Sequence, residues 1–398
     1  MEKIAIDLLW LRPGKVGGTE SYIRNLLDGF CDLDEEFDFT LLVSKDNAPT
    51  FQKYEKDRRY HLLRADIESA NIAKRILWQN LFQNRLLRKN GFRKCFEPVY
   101  CKPWLNGGIA YTCVIHDLQA LHYPQYHPFH EVAYSRLCWR MDAMNAARIV
   151  AISGWVREDI ARRYHRKDIR VIYNPILIDP EKTADFKLLD ERYGIRREQF
   201  FYTVSQMIPS KNLGTLIRMM DILIHGKDSL AERQTDGENG NQQIYASLPR
   251  KLVVSGVNGH AAEALKREIA DRNLQDAVIL TGFISNEERN ALYQNCHTFL
   301  FPSVFEGFGM PPVEAMLFGR PVITTRCASI PEVTQESAYY VDDPYNAEKW
   351  IEKIGHIWEG GRTEKKSSPA HMDFDRYAPE RISRQYLALL KEPIWKKK

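Results

Sequence analysis

Two glutamates with seven residues between them, Glu306 and Glu314, stand in a stretch whose other residues suggest what they could do. It runs Phe301-Pro302-Ser303-Val304-Phe305-Glu306-Gly307-Phe308-Gly309-Met310-Pro311-Pro312-Val313-Glu314-Ala315-Met316-Leu317-Phe318-Gly319-Arg320-Pro321-Val322-Ile323. Gly307 and Gly309 permit positive φ and close backbone approach to a ligand. Pro311 and Pro312 suit a first helical turn, where amide donors lack partners anyway. Gly319 fits the position just past the helix, and Pro321 stops it before the next strand. A glycine loop that opens onto a helix N-terminus at the carboxyl end of a strand binds phosphate through free N–H groups and the helix dipole. Glu314, in about the first turn, could accept two hydrogen bonds from a ribose diol. Glu306, in the loop, could meet a sugar hydroxyl or the positive charge developing at an anomeric carbon. Carboxylates near a helix N-terminus can also be no more than charges that favour the dipole. The flanking glycines, prolines and strand weigh against that here.

This segment resembles the signature of GT-B glycosyltransferases of family 4, the retaining group 1 enzymes with an E-x7-E motif. The resemblance is close over residues 301–323 and looser, in chain order, over most of the rest. It implies an α/β fold of two Rossmann-like, doubly wound parallel-sheet domains with an interdomain cleft. It places Glu306 near the donor sugar, Glu314 at the ribose, and the amides around Phe308, Gly309 and Met310 on sugar or phosphate. Gly17-Gly18-Thr19-Glu20 looks like the family's N-terminal glycine loop, whose backbone faces the donor diphosphate. His116-Asp117, after an apolar run, resembles the catalytic-site histidine, an imidazole that can donate or accept near neutral pH. The run from His116 to Pro124 looks most like bacterial mannosyltransferases, and on that ground alone GDP-mannose is the expected donor.

Pro209-Ser210-Lys211-Asn212-Leu213 is similar to the family's P-R-K-N-L segment, whose lysine neutralises the leaving diphosphate as a compact point charge. Here the sequence departs from the pattern. Ser205 stands where glycine is usual, Gln206 where arginine often sits, Ile208 for a common glutamate and Ser210 for arginine. The second cation on the phosphates is therefore replaced by Gln206 or by an arginine from elsewhere. Thr281-Gly282-Phe283-Ile284-Ser285 is like family loops that contact the nucleobase. Ser153, after Ala151-Ile152, is as readily a cleft residue as a structural one.

The resemblance thus implies retaining transfer of a hexosyl group from a nucleoside diphosphate sugar to a hydroxyl of a glycan or lipid-linked acceptor, in bacterial polysaccharide or glycolipid assembly. No cofactor or metal is expected. The transition state would be oxocarbenium-like and stabilised electrostatically. His116, Glu306 and Lys211 are the expected catalytic residues. Gly17, Gly18, Gln206, Phe283, Phe308, Gly309, Met310 and Glu314 join Lys211 and Glu306 at the donor. Competing readings are a scaffold of the same fold that has lost transfer activity, a nucleotide-sugar epimerase, and a Rossmann oxidoreductase. For the last, no G-x-G-x-x-G between strand and helix is followed by an acidic residue about 20 positions on.

The elements that must position these residues follow from patterning. A first strand (3–10) leads through Gly14–Gly18 into a helix with apolar residues at 22, 23, 26, 27 and 30, the helical spacing. A short strand at 38–43 precedes a basic helix at 72–90, in which Ile76, Leu77, Leu81 and Leu86 alternate with Arg75, Arg85, Arg88 and Lys89. That helix is expected to turn an apolar stripe to the core and its arginines to water, with peripheral membrane contact as the alternative. A buried strand at 109–115, a helix near 131–145 and strands at 148–152 and 169–172 complete a domain over 1–178. The terminal helix at 375–395 is expected to pack back on it. Turn signals at Asn174-Pro175 and Asp179-Pro180 open a second domain, 179–374. There, strands at 200–205, 251–255, 277–281, 298–301 and 321–324 alternate with helices at 212–225, 260–271, 287–295 and 311–318, the pattern of a parallel sheet. Polar segments at 226–248 and 359–372 read as an insertion and a linker. At 398 residues and 44% hydrophobic, the chain can fill two cores. A net charge of +4 points to no nucleic-acid partner. Seven dispersed cysteines without a C-x-x-C pair, and no apolar run of about 18 residues, suggest a cytoplasmic protein or one peripheral on the membrane's inner face.

Overall fold

The computed structural model describes residues 2–99, 102–226, 248–360 and 372–394. The insertion and linker expected at 226–248 and 359–372 lie almost wholly outside the described residues. The chain divides into two units, Met1–Leu177 with Phe374–Lys398, and Ile178–Asp373.

In the first unit, β1 (Ile4–Asp7), β2 (Phe39–Val43), β3 (Tyr60–Arg64), β4 (Lys94–Glu97), β5 (Ala110–Ile115), β6 (Arg148–Ala151) and β7 (Ile169–Val171) form a sheet in the order 3-2-1-4-5-6-7. In the second, β8 (Phe201–Val204), β9 (Leu252–Ser255), β10 (Val278–Gly282), β11 (Thr298–Phe301), β12 (Val322–Thr325) and β13 (Tyr339–Val341) run in the order 10-9-8-11-12-13. Pairs such as β1–β4 and β8–β11 are parallel. These are Rossmann-like, doubly wound sheets, and together they are the GT-B fold class. In each, the chain leaves one strand towards one edge of the sheet and a neighbouring strand towards the other. The switch lies between β1 and β4 in the first unit and between β8 and β11 in the second. Ligands of open α/β sheets bind beyond the carboxyl ends of the strands at such a switch point.

Most central strands are short apolar runs buried on both faces, as parallel sheets require, while the edge strands β3, β7 and β10 are partly open. Three were not visible in the pattern: β3, β4 and β13. In β4 the reason is plain. Its sequence, Lys-Cys-Phe-Glu, is charged at both ends yet wholly buried. The Lys94 ammonium donates to the carbonyls of Leu390 and Glu392 at 2.9 Å and pairs with Glu2 at 2.6 Å. Partners 296 and 298 positions away make the strand tolerable, and no local rule shows them.

The expected core stripe of the basic helix is corrected by the structure. Its segments Ile72–Trp78 and Asn84–Lys89 are joined by a π-turn over Gln79–Gln83. Leu77 and Leu81 are exposed, and Gln79, Gln83 and Leu87 face inward instead. The wider turn shifts the register of the side chains. Gln79 is also drawn inward by Asp7, to whose buried carboxylate its amide donates at 3.2 Å.

The helix Pro379–Lys391 lies on the helix Gly18–Cys31. The contact is close at Gly29, where an added Cβ would stand 2.5 Å from Ser383 Oγ and 2.8 Å from the Pro379 carbonyl.

Candidate functional site

In the second unit, β8 runs into Ser205-Gln206, and a single 3-10 turn, Pro209–Lys211, follows. Asn212 then takes the left-handed conformation (φ 51) and caps the helix Leu213–His225. Asparagine tolerates that region where bulkier residues are strained. Its amide donates to the Pro344 carbonyl at 2.8 Å, and its side-chain oxygen accepts from Thr215 at 2.9 Å. The backbone around Lys211 is thereby fixed from two sides.

Across the switch point, β11 gives way to the Glu306 loop. Val304 N–H donates to the Ser210 carbonyl at 2.9 Å, tying this loop to the lysine turn. Ser329 Oγ donates to the carbonyls of Glu306 (2.8 Å) and Phe308 (3.0 Å), and Thr325 Oγ1 to that of Ser303 (2.6 Å). The result brings Lys211 Nζ to 2.5 Å from Glu306 Oε1, a nearly buried ion pair with side chains 18% and 11% exposed. The ammonium also lies 5.9 Å from the Phe301 ring centroid.

Gly309 (φ 89) precedes the helix Met310–Leu317. Gly307 does not adopt positive φ, so that part of the glycine expectation is corrected: Gly309 alone turns the chain into the helix. Pro311 and Pro312 carry no N–H, and the N–H groups of Gly309 and Met310 donate to no group of the described residues. Open donors at a helix start attract an anion. Glu314 is in the second turn, not the first, and its Oε2 accepts from the Tyr293 hydroxyl at 2.8 Å. Burial opposes the charge of Arg289, and the Glu314 carboxylate leads the groups that offset this and raise its pKa. The buried hydroxyls of Ser210 and Ser303 have no hydrogen-bond partner among the described residues.

Gln206 is exposed at the carboxyl end of β8, and Phe283 is 77% exposed at that of β10. The loop after β9 packs against the Gln206 segment. A Cβ at Gly256 (φ 134) would stand 2.0 Å from the Ser205 carbonyl oxygen, and one at Gly259 2.3 Å from that of Met207. Tyr293, Arg289, Ser329 and Gly256 were not found from sequence. Of these, only the Val-Ser-Gly-Val-Asn-Gly run at 254–259 carried a local signal, as a glycine turn after a strand.

In the first unit, Gly17 (φ 62, ψ −134) occupies a region open in practice to glycine and caps the helix that starts at Gly18. Glu20 braces the loop: its carboxylate accepts from Gly14 N–H at 2.8 Å and pairs with Arg24 at 2.7 Å. His116 follows β5, with its ring edge-on to Tyr22 at 4.7 Å between centroids. Tyr22 in turn donates to the Tyr386 hydroxyl at 2.9 Å. Ser153, 0% exposed, caps the helix Gly154–Tyr164 by accepting from Val156 N–H at 3.2 Å, a structural role. His122 pairs with buried Asp159 at 2.6 Å.

His116 Nε2 lies 2.9 Å from the Pro98 carbonyl, which only accepts, so Nε2 carries the proton and Nδ1 keeps a lone pair. Burial pulls its pKa from 6.5 down to about 4, partly offset by that hydrogen bond. At neutral pH the ring is an uncharged acceptor. Between these two values the unfolded chain binds the proton and the folded one does not. The stability this histidine contributes is therefore complete above about pH 6.5 and lost as pH falls towards 4. Over that range the parent should lose up to roughly 3 kcal/mol more than His116→Gln, which keeps the Nε2 donor, in urea unfolding. An equal acid loss in both proteins would refute this assignment.

Residues 185–380 match the family model described as glycosyl transferases group 1, and residues 16–179 that described as glycosyltransferase family 4. The chain is 26% identical over 248 residues to the O-antigen chain mannosyltransferase RfbU of Salmonella typhimurium, covering 62% of this chain and 60% of that protein. It is 23% identical over 231 residues to the O-antigen chain mannosyltransferase B of Escherichia coli, covering 57% and 56%. The chain thus spans less than two thirds of the length of these curated relatives. The crystal structure of Anabaena HepE in complex with UDP and glucose superposes with a TM-score of 0.68 at 15% identity, covering 98% of this chain and 99% of that one, a likeness of fold.

Proposed function

The chain belongs to the group 1 glycosyltransferases of family 4, and from that premise we propose that it transfers mannose from GDP-mannose, with retention, to a hydroxyl of a glycan or lipid-linked acceptor in O-antigen-type polysaccharide assembly. The observation that carries the reading is the Lys211–Glu306 pair at 2.5 Å in the second unit. It stands on loops tied together at the sheet's switch point, and one of those loops ends in the open amides of Gly309 and Met310. The two mannosyltransferase relatives support the sugar and the acceptor class.

The assigned roles follow from charge. Lys211 and the two amides neutralise the diphosphate as the glycosidic bond breaks, in place of a metal ion. Glu306 faces the sugar, where positive charge develops. Glu314, oriented by Tyr293, accepts from the ribose hydroxyls, and Phe283 offers an open apolar face to the base. In the first unit, the Nδ1 lone pair of His116 serves a substrate hydroxyl. A cytoplasmic location at the membrane's inner face fits such an acceptor.

A panel of nucleoside diphosphate sugars tests this. GDP-mannose should raise the Tm most, since a ligand at a hundredfold excess over its Kd adds roughly 2.7 kcal/mol. Mannosyl transfer should then persist in EDTA. Stabilisation by no nucleotide sugar would leave an inactive scaffold, and conversion of GDP-mannose to another nucleotide sugar without acceptor would leave an epimerase.

A further inference from the structure

We propose that the outer face of residues 72–89, with the loop at Trp104-Leu105, docks on an anionic phospholipid surface. The proposal deepens the reading above and rests on it for its purpose, because a lipid-linked acceptor lies at such a surface.

Two observations combine here. The first is apolar exposure. Gln79, Gln83 and Leu87, four apart, point inward, so Leu77, Leu81 and Arg85, also four apart, point outward. Leu77 is 61% and Leu81 60% exposed, and Phe82 is half exposed beside them. The neighbouring loop is clamped to this helix: Trp104 N–H donates to Asn80 Oδ1 at 2.8 Å, and Asn84 Nδ2 to the Leu105 carbonyl at 2.6 Å. That sets Leu105, 75% exposed, and partly exposed Trp104 beside the helix. Exposed apolar side chains grouped in this way mark a binding surface rather than a solvated one.

The second is charge. The chain as a whole has 56 basic and 52 acidic residues, yet from Asn71 to Phe96 there is no aspartate or glutamate. Lys74, Arg85, Arg88 and Lys89 are all exposed on or beside the apolar residues. Solvation alone would account for the cations but not for the leucines between them. A phospholipid surface accounts for both: the side chains of Leu, Phe and Trp enter the headgroup boundary, and the cations meet anionic headgroups. No helix of the described residues is long and apolar enough to cross a membrane, so the contact is peripheral.

The test is co-sedimentation of the full chain with vesicles of phosphatidylglycerol and phosphatidylethanolamine, and with vesicles of phosphatidylcholine. The parent should bind the first set, more weakly as salt rises, and bind the second poorly. Leu77→Ser/Leu81→Ser and Arg85→Glu/Arg88→Glu should each lower partitioning roughly tenfold or more. Both should keep the parent's Tm and its stabilisation by GDP-mannose. Vesicle binding that persists where no nucleotide sugar stabilises the protein would uphold the docking face and sink only the functional reading. A parent that stays in the supernatant, or variants that partition like it, would overturn the proposal. So would a parent dimer that the leucine variant dissolves without any change in vesicle binding, since the face would then be a contact between copies.

Discussion

Replacing Lys211 with alanine should lower kcat/KM by about a thousandfold, mostly in kcat. The diphosphate gains negative charge as the sugar departs, so an ammonium beside it acts more strongly on the transition state than on the bound donor. Removing it should therefore slow the chemistry more than it weakens binding. The structure adds a complication, because the same ammonium is the partner of Glu306 at 2.5 Å. Alanine at 211 leaves a nearly buried carboxylate uncompensated, which by itself costs stability. The double variant Lys211→Ala/Glu306→Gln separates the two effects: it should recover the Tm lost by the single variant and none of the rate. Lys211→Arg should keep part of the activity, since the charge remains but the planar fork does not match the compact ammonium. A kcat within tenfold of the parent in Lys211→Ala, measured at saturating donor, would remove this residue from the mechanism.

The second large effect is expected at Glu314. Its Oε2 is taken by the Tyr293 hydroxyl at 2.8 Å, which fixes the carboxylate and leaves its remaining lone pairs for a ligand. Hydrogen bonds to a charged group contribute about 1.5–3 kcal/mol each. Glu314→Gln should thus weaken nucleoside diphosphate binding by roughly a hundredfold, with a smaller fall in kcat. The diagnostic is a cycle with the 2′-deoxynucleotide. The parent should bind it far more weakly than the ribonucleotide, and in Glu314→Gln that difference should nearly vanish. If the variant still discriminates as the parent does, the ribose is held elsewhere.

The sequence made these residues visible for a specific reason. Glu306 and Lys211 sit in turns that follow strands, and Glu314 in the helix that one of those turns opens, where glycine and proline punctuate the chain. What brings them together was out of reach. The ties that fix the glutamate loop come from Ser210, Thr325 and Ser329, and the orienter of Glu314 is Tyr293, in the last turn of the helix Asn286–Asn295, a position that no motif marks. The first sheet shows the same limit. β4 was hidden because its lysine is satisfied by the far end of the chain. The basic helix was turned to the wrong face because a π-turn breaks the 3.6-residue period on which the reading depended.

The return of the terminal helix to the first unit has a bearing on how the protein is made. Tyr22 finds its hydroxyl partner in Tyr386, the Leu26 carbonyl its donor in Ser383, and buried Lys94 its acceptors at Leu390 and Glu392. A ribosome delivers those partners only after all of Ile178–Asp373 has been synthesised. Domains that are continuous in sequence can settle in the order of their translation. Here the unit begun first is finished last. Until then the apolar side of its opening helix lacks its cover, and the phenol that backs His116 has nothing to bind.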